Sequence, residues 1–373
     1  MSKKSALFLC ALYALIIPVV AVLIFALPRE DFSPEENRML AELPSVRLSS
    51  LLDGSFGDEL SAFCCDRFPL RTKLLRADTR FSEGLGRLES GGVMRGKNGN
   101  LIKRLELYDA EKLEENLSAV KRICAYAESM DAEAVFFCAP RAVDVLSDFT
   151  PLEFDPRAGG LWDKIKQYGA LTVTDILHKK AESGEYVFYR TDHHWTSLGA
   201  YYAYAELGKH LGYSPFPIDD FTEEQVCGDF LGSSYSASLF PSVTPDTVTA
   251  FRFAGDGEIK ITDQNTGEVF GLYDENALST ASKYDFFLGG NKAHLKIESG
   301  KEKRLVIVKD SFANSIIPFL TRHFDLDIID PRYLRRPLSQ LLGEIYANGD
   351  APALLLLFNP ETLCTDTGIK NFG

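Results

Sequence analysis

The chain has 373 residues, 45% hydrophobic and 25% charged, with a formal net charge of −13. That composition supports a full-sized core and excludes a chain that is disordered throughout. The acidic balance, with no long basic stripe, argues against a nucleic-acid partner, because phosphate backbones are bound mainly through clustered Lys and Arg.

Lys3 and Lys4 precede SALFLCALYALIIPVVAVLIFAL, an uncharged stretch matching the ~20 residues a helix needs to span a bilayer. It is longer than the apolar core of a cleaved signal, about 7 to 15 residues, and FALPRE is a poor cleavage match. Residues 1–28 are therefore expected to be an uncleaved membrane anchor. The positive residues before it place residues 29–373 outside the cytoplasm, and Pro18 is tolerable in lipid. REDFSPEENRMLAELPSV, polar and bounded by proline, reads as a stalk or an ordered lead-in. Helical spacing on both sides of Phe68-Pro69 predicts two helices broken at the proline. GGVMRGKNGNLIKRL predicts a hairpin turning at Asn98-Gly99. Residues 29–108 thus form a helical lead-in and hairpin, ahead of a main domain at 109–373.

From residue 109 the periods alternate. A helix with an apolar stripe through Leu113, Leu117, Val120, Ile123 and Cys124 is followed by the strand AEAVFFCAP. Then come LWDKIKQYG as helix, LTVTDIL and EYVFYR as strands, and TSLGAYYAYAELGKHLGY as a helix capped by Thr or Ser and closing at Gly212. RLVIVKD, LDIID and APALLLLFN read as strands, separated by helices in SFANSIIPFLTRHF and PLSQLLGEIYANG. Unbroken apolar strands alternating with helices predict an α/β fold, a parallel sheet covered on both faces. Residues 214–300 are turn-rich and β-leaning, with a hairpin near Asn265-Thr266-Gly267, and read as a β-rich insertion or cap. The seven cysteines, at 10, 64, 65, 124, 138, 227 and 364, form no CxxC pair and no metal spacing. Cys124 and Cys138 sit in apolar patterns that suit small buried thiols, and no disulfide connectivity follows.

Ligands of open α/β sheets bind where strand ends lead into helices. At RLVIVKDSFANS, Ser311 opens a helix directly after a strand, beside free N–H groups that can stabilise an oxyanion. Asp310 or Ser311 could equally be a plain N-cap. At VFYRTDHHWTSLGA, the Asp-x-His triplet lets Asp192 reach the second nitrogen of His194, the pairing a serine nucleophile requires. His193 reads as a core or surface residue and Trp195 as packing. A metal site is the rival use of Asp192, His193 and His194; the other histidines, at 178, 210, 294 and 323, offer no HxxxH or HxH partner, so neither metal nor cofactor is expected.

TDHHWTSLGAYYAY followed by VIVKDSFANSIIPFLTRHFDLDIIDPRYL resembles the DHHW family of bacterial extracytoplasmic proteins, relatives of the alginate O-acetyltransferase group within the SGNH hydrolase-like superfamily. FSPEENRMLAELP, DRFPLR, FFCAPRAVDVL, GDFLGSSYS, the GGN at 289–291 and LFNPETL carry the resemblance over nearly everything after the anchor. It implies an SGNH hydrolase-like, flavodoxin-like sheet, circularly permuted so that the Asp/His block precedes the serine. It places the nucleophile at Ser311 in Lys309-Asp310-Ser311, the base and acid at His194 and Asp192, and Trp195 as their neighbour and a candidate substrate contact; Lys309 stands where the superfamily has glycine. The superfamily's further oxyanion donors, a Gly and an Asn, have Asn359 and Asn291 as candidates, and Arg332 could hold a carboxylate or a sugar hydroxyl; turn chemistry and a surface salt bridge are the bland uses of the same residues.

The expected function is extracytoplasmic, serine-dependent acyl transfer, acetyl by the resemblance, to or from hydroxyls of a cell-surface polysaccharide. A membrane-bound O-acyltransferase is the implied partner and acetyl supplier. The alternatives are a carbohydrate esterase, a non-catalytic glycan-binding or assembly protein of the cell envelope, and a metal-dependent hydrolase.

Overall fold

The computed structural model describes residues 3–28, 30–104, 108–150, 160–347 and 351–371. Arg29 at the head of the lead-in, Leu105 at the end of the expected hairpin and Asn348-Gly349 at the end of the last long helix lie outside the described residues. The chain divides into two compact units.

The smaller unit comprises Met1–Ser90 with Ser236–Ser242. It begins with a single helix, Lys3–Ala26, in which Leu7–Ala26 is long and apolar enough to cross a membrane. The helices Ser55–Asp66 and Arg71–Gly84 flank Pro69, which has no N–H to continue the first of them. The polar lead-in is ordered here by charge. Arg38 grips Asp66 with Nη1 and Nη2, at 2.8 and 2.5 Å, and Arg71 pairs with Glu36.

The larger unit, Gly91–Tyr235 with Val243–Gly373, contains a seven-stranded sheet. Across it the strands run Val269–Phe270, Ile261–Asp263, His294–Ile297, Asp325–Ile329, Arg304–Lys309, Ala353–Phe358 and Ala134–Cys138. The last four of these pair in parallel, and the first three join them antiparallel. Side chains alternate faces along a strand, so a strand buried on both sides must be apolar throughout. Val135, Phe137, Leu305, Ile307, Leu355 and Leu357 pack on one face with residues of the helices Thr174–Glu182 and Ser197–Leu207. Phe136, Cys138, Val306, Val308, Leu354 and Leu356 pack on the other with Ala110–Glu128 and Leu338–Tyr346. Each such side chain contributes about 1.5–3 kcal/mol by leaving water.

Several elements differ from the sequence reading. LTVTDIL is not a strand: Leu171 makes one bridge to Phe137, and Thr174–Glu182 is helical. Its β-branched residues imitate a strand, but Val173, Leu177 and Ala181, buried at intervals of four, form a helical face. EYVFYR makes only the single bridge Phe188–Trp195, where the chain turns back on itself through the Asp-His-His-Trp segment. SFANSIIPFLTRHF is a 3-10 turn, Ser311–Ser315, followed by one helical turn, Ile317–Leu320, rather than a long helix; Pro318, lacking an N–H, fits only a first turn. The helix after Thr196 ends at Leu207, short of Gly212. Residues 214–300 are only partly an insert. Thr222–Phe230 and Asp246–Arg252 form a separate bulged antiparallel pair, whereas the three strands between 261 and 297 extend the main sheet.

Other expectations meet the structure directly. Val93–Arg95 and Leu101–Lys103 pair as the expected hairpin, with Asn98 and Gly99 both at positive φ, 57° and 79°. Val269 pairs with Thr262 across the turn at Asn265-Thr266-Gly267. Of the two thiols in apolar patterns, Cys138 is buried and Cys124 half-buried.

Candidate active site

The Arg304–Lys309 strand lies between parallel neighbours and delivers Asp310 to the carboxyl end of the sheet. The fully buried Asp310 carboxylate accepts the Phe312 N–H at 2.9 Å and the Asn359 N–H at 2.7 Å. It thereby caps the turn Ser311–Ser315 and ties it to the end of the neighbouring strand. Burial pushes its carboxyl above the ordinary value, against the pull of the Asn359 N–H and the Arg332 charge. Ser311 begins the turn, and its Oγ–H donates to His194 Nε2 at 2.8 Å.

His194 stands just before the helix Ser197–Leu207, which Thr196 caps by accepting the Gly199 N–H at 3.2 Å. Its Nδ1 donates to Asp192 Oδ1 at 2.6 Å, and the same oxygen accepts the His194 backbone N–H at 2.9 Å. The other Asp192 oxygen accepts the Ser233 N–H at 2.8 Å. Burial alone would raise the Asp192 carboxyl, but the two histidines and these donors hold it well below the usual range. The serine-imidazole-carboxylate relay is thus continuous, with Asp192 and His194 buried.

Residues to which the sequence assigns no role hold this relay in place. Gly232 is one: a Cβ there would stand 2.3 Å from Asp192 Cβ and 2.5 Å from its Oδ2. Asp246 is another, fully buried. It accepts the Thr191 N–H at 2.7 Å, the Thr191 hydroxyl at 2.6 Å and the Arg190 N–H at 3.0 Å, together with the Tyr186 hydroxyl. It therefore anchors the residues immediately before Asp192. The Tyr284 ring stacks on His194, centroids 3.9 Å apart and planes within 7°, and its hydroxyl lies 3.1 Å from Ser315 Oγ. No local pattern around Asp246 or Tyr284 marks these roles, because both act across long sequence separations. The GDFLGSSYS stretch that includes Gly232 was visible only through the family resemblance.

The remaining sequence candidates divide. Asn359 is brought to the site: its backbone holds Asp310, its Oδ1 accepts the Thr362 N–H at 3.0 Å, and it lines a small cavity with His193 and Phe312. Asn291 is engaged elsewhere, accepting Lys309 Nζ at 2.7 Å. Lys309 is itself buried, also reaches Asn314 Oδ1 at 2.7 Å, and is pushed down by burial to about 8 against the pull of Asp330. Arg332 is clamped by Asp330 through Nε at 2.9 Å and Nη2 at 2.6 Å, a salt-bridge partner that stays partly exposed. Trp195 offers no surface to a substrate. It is wholly buried, and its Nε1 lies 3.0 Å from both the Phe312 carbonyl and Ser315 Oγ, so it supports the serine turn from below.

Among the described residues, two groups place three metal-ligating atoms within 4.8 Å of one another: Asp192, His193 and His194, and Asp148, His178 and Glu182. In the first, both His194 nitrogens and His193 Nδ1 already serve Asp192, Ser311 and Ser233, so a metal would have to break the relay.

Comparison with known proteins agrees with this picture at the level of fold. The model of the DHHW protein family matches residues 163–329, a span that holds Asp192, His194 and Ser311. No protein of curated function matches the sequence. Among solved structures, the chain is similar to a DHHW family protein from Eubacterium siraeum, with 22% identity, a TM-score of 0.56, and 75% of this chain and 98% of that one covered. It is also similar to Bacillus cereus PatB1 bearing a sulfonyl adduct, with 16% identity, a TM-score of 0.59 and 75% and 99% coverage. The O-acetyltransferase domain of Pseudomonas putida AlgJ matches at 14% identity, with a TM-score of 0.49 and 76% and 95% coverage.

Proposed function

We propose that the protein is an extracytoplasmic O-acyltransferase that moves an acetyl group through Ser311 to or from a hydroxyl of a cell-surface polysaccharide. The observation that carries this reading is the relay itself, Ser311 Oγ to His194 Nε2 at 2.8 Å and His194 Nδ1 to Asp192 Oδ1 at 2.6 Å. In the first half-reaction Ser311 Oγ attacks the acyl carbonyl while His194 takes its proton, then returns it to the departing alcohol. Asp192 keeps the proton of the neutral ring on Nδ1, leaving Nε2 free as the base. In the second, an acceptor hydroxyl gives its proton to His194, its oxygen bonds to the acyl carbon, and Ser311 Oγ leaves and is reprotonated. Water in place of the acceptor makes the same machinery an esterase. The motif resemblance supports acetyl as the group moved and a membrane-bound acyltransferase as its supplier. The apolar helix Leu7–Ala26, preceded by Lys3 and Lys4, supports an anchor with the rest of the chain outside the cytoplasm.

The test is hydrolysis of a chromogenic acetyl ester by the full-length chain in detergent. Ser311→Ala and His194→Ala are expected to lower the rate by at least ~10³-fold, since members of such a relay act as a unit, and a chelator is expected to change nothing. Activity that survives both substitutions, or that a chelator abolishes, would overturn the serine mechanism. An inactive wild type that takes up no acetyl would leave glycan binding as the working reading.

A further inference from the structure

His193 is a titratable group beside the relay that the relay does not use. Its ring lies 3.8 Å from the His194 ring, centroid to centroid, and its Nδ1 is 2.6 Å from Ser233 Oγ. Nε2 has no partner among the described residues, the side chain is 29% exposed, and the ring lines a cavity together with Phe312, the residue that follows Ser311. That cavity has a volume of about 20 Å³, room for one water or one hydroxyl. Its walls are polar on several sides: Asn359, Arg141 and the Lys103–Glu361 ion pair face it together with Phe312.

We propose that His193 holds the attacking oxygen of the second half-reaction, donating from Nε2–H to the acceptor hydroxyl or water that His194 deprotonates. The inference rests on the acyl-serine reading above and deepens it by assigning the acceptor's seat. The Ser233 hydroxyl sets the tautomer. By donating to Nδ1 it leaves the ring proton on Nε2, where it meets a lone pair of the incoming oxygen. That oxygen keeps its own proton free for His194 Nε2. Its bond to the acyl carbon then forms as the Ser311 Oγ bond breaks, and His194 returns the proton to Ser311. Burial, with His194, Lys103 and Arg332 nearby, pushes His193 down to about 3 against the pull of the Asp192 carboxylate, so the ring stays neutral and does not repel the imidazolium formed beside it. The narrow seat and its several polar walls suit a secondary alcohol on a polyhydroxylated ring, one hydroxyl entering while its neighbours meet Asn359 and the charged rim.

The experiment follows the acetyl group on Ser311 by mass spectrometry. The full-length chain is loaded from a chromogenic acetyl ester, desalted rapidly and left in buffer, with or without methyl glucoside as acceptor. His193→Ala is expected to load within about threefold of the wild-type rate yet to hold its acetyl about tenfold longer in both conditions, the loss of roughly one hydrogen bond in the second step. His193→Gln, which returns an amide donor on a side chain of similar reach, should recover a substantial part of that loss. A purely packing role would slow loading and unloading alike and would gain nothing from glutamine. Unchanged acetyl lifetime in His193→Ala, or loading that falls as much as unloading, overturns this assignment alone. Failure of the wild type to take up acetyl overturns the acyl-serine reading and this inference with it.

Discussion

Replacing Gly232 with alanine tests whether the Asp192 carboxylate must stay where it is. The new Cβ would sit 2.3 Å from Asp192 Cβ, where ordinary contact begins at 3.4 Å, so one of the two must retreat by roughly 1 Å. Asp192 has little room to yield on its own, since His194 and Ser233 hold both of its oxygens. A displacement of that size at a catalytic relay costs about 10²-fold in rate. The expected result is a kcat for a chromogenic acetyl ester lowered ~10²-fold with KM little changed, because the substitution touches the relay and not the acyl group's seat. Overpacking should also lower stability by about 1–3 kcal/mol, read from urea unfolding. A folded variant with kcat within threefold of wild type would refute the reasoning, since Asp192 would then not depend on the space Gly232 leaves.

Asp246→Asn should destabilise the protein by about 1–3 kcal/mol and lower kcat, because an amide turns its NH2 toward donors that a carboxylate accepts; thermal denaturation and ester turnover read both. Tyr284→Phe keeps the ring on His194 and should change kcat only a few-fold, whereas Tyr284→Leu should cost more; comparing the two isolates the stacking contact. Lys309 releases its proton at about 8 when folded and at about 10.4 when unfolded. Unfolding therefore takes up a proton between those values, and stability rises with pH there. Relative to Lys309→Met, the wild-type urea midpoint should accordingly climb from pH 8 to pH 10.

The Asp192–His194 half of the relay was legible in the sequence because its chemistry is local, and the link to Ser311, 117 positions along the chain, followed from what a serine nucleophile requires. An Asp two positions before a His can fold onto the ring's Nδ1 within one turn, and a Ser directly after an apolar strand must lie at the sheet's carboxyl end. The apolar runs of the parallel strands were legible for a similar reason, since burial on both faces leaves no polar position. What escaped was set by tertiary context. Val173, Leu177 and Ala181 face the core as a helix although LTVTDIL is rich in β-branched residues, and only the packing of Thr174–Glu182 against the sheet decides it. Trp195 sits where a substrate contact was conceivable, yet its Nε1 serves the serine turn more than a hundred residues later. Asp246, Tyr284 and Gly232 likewise reach the site across long stretches of chain, and no spacing within any one segment announces them. His193 reads from sequence as a core or surface residue because its Ser233 partner lies 40 residues away.

The most direct test of the account is peptide mapping of the full-length chain after brief exposure to an acetyl ester. Acetyl is expected on Ser311 in the wild type and none there in His194→Ala. An unmodified Ser311 in a wild type that turns the ester over, or acetyl mounted on another residue at the same rate, would contradict it.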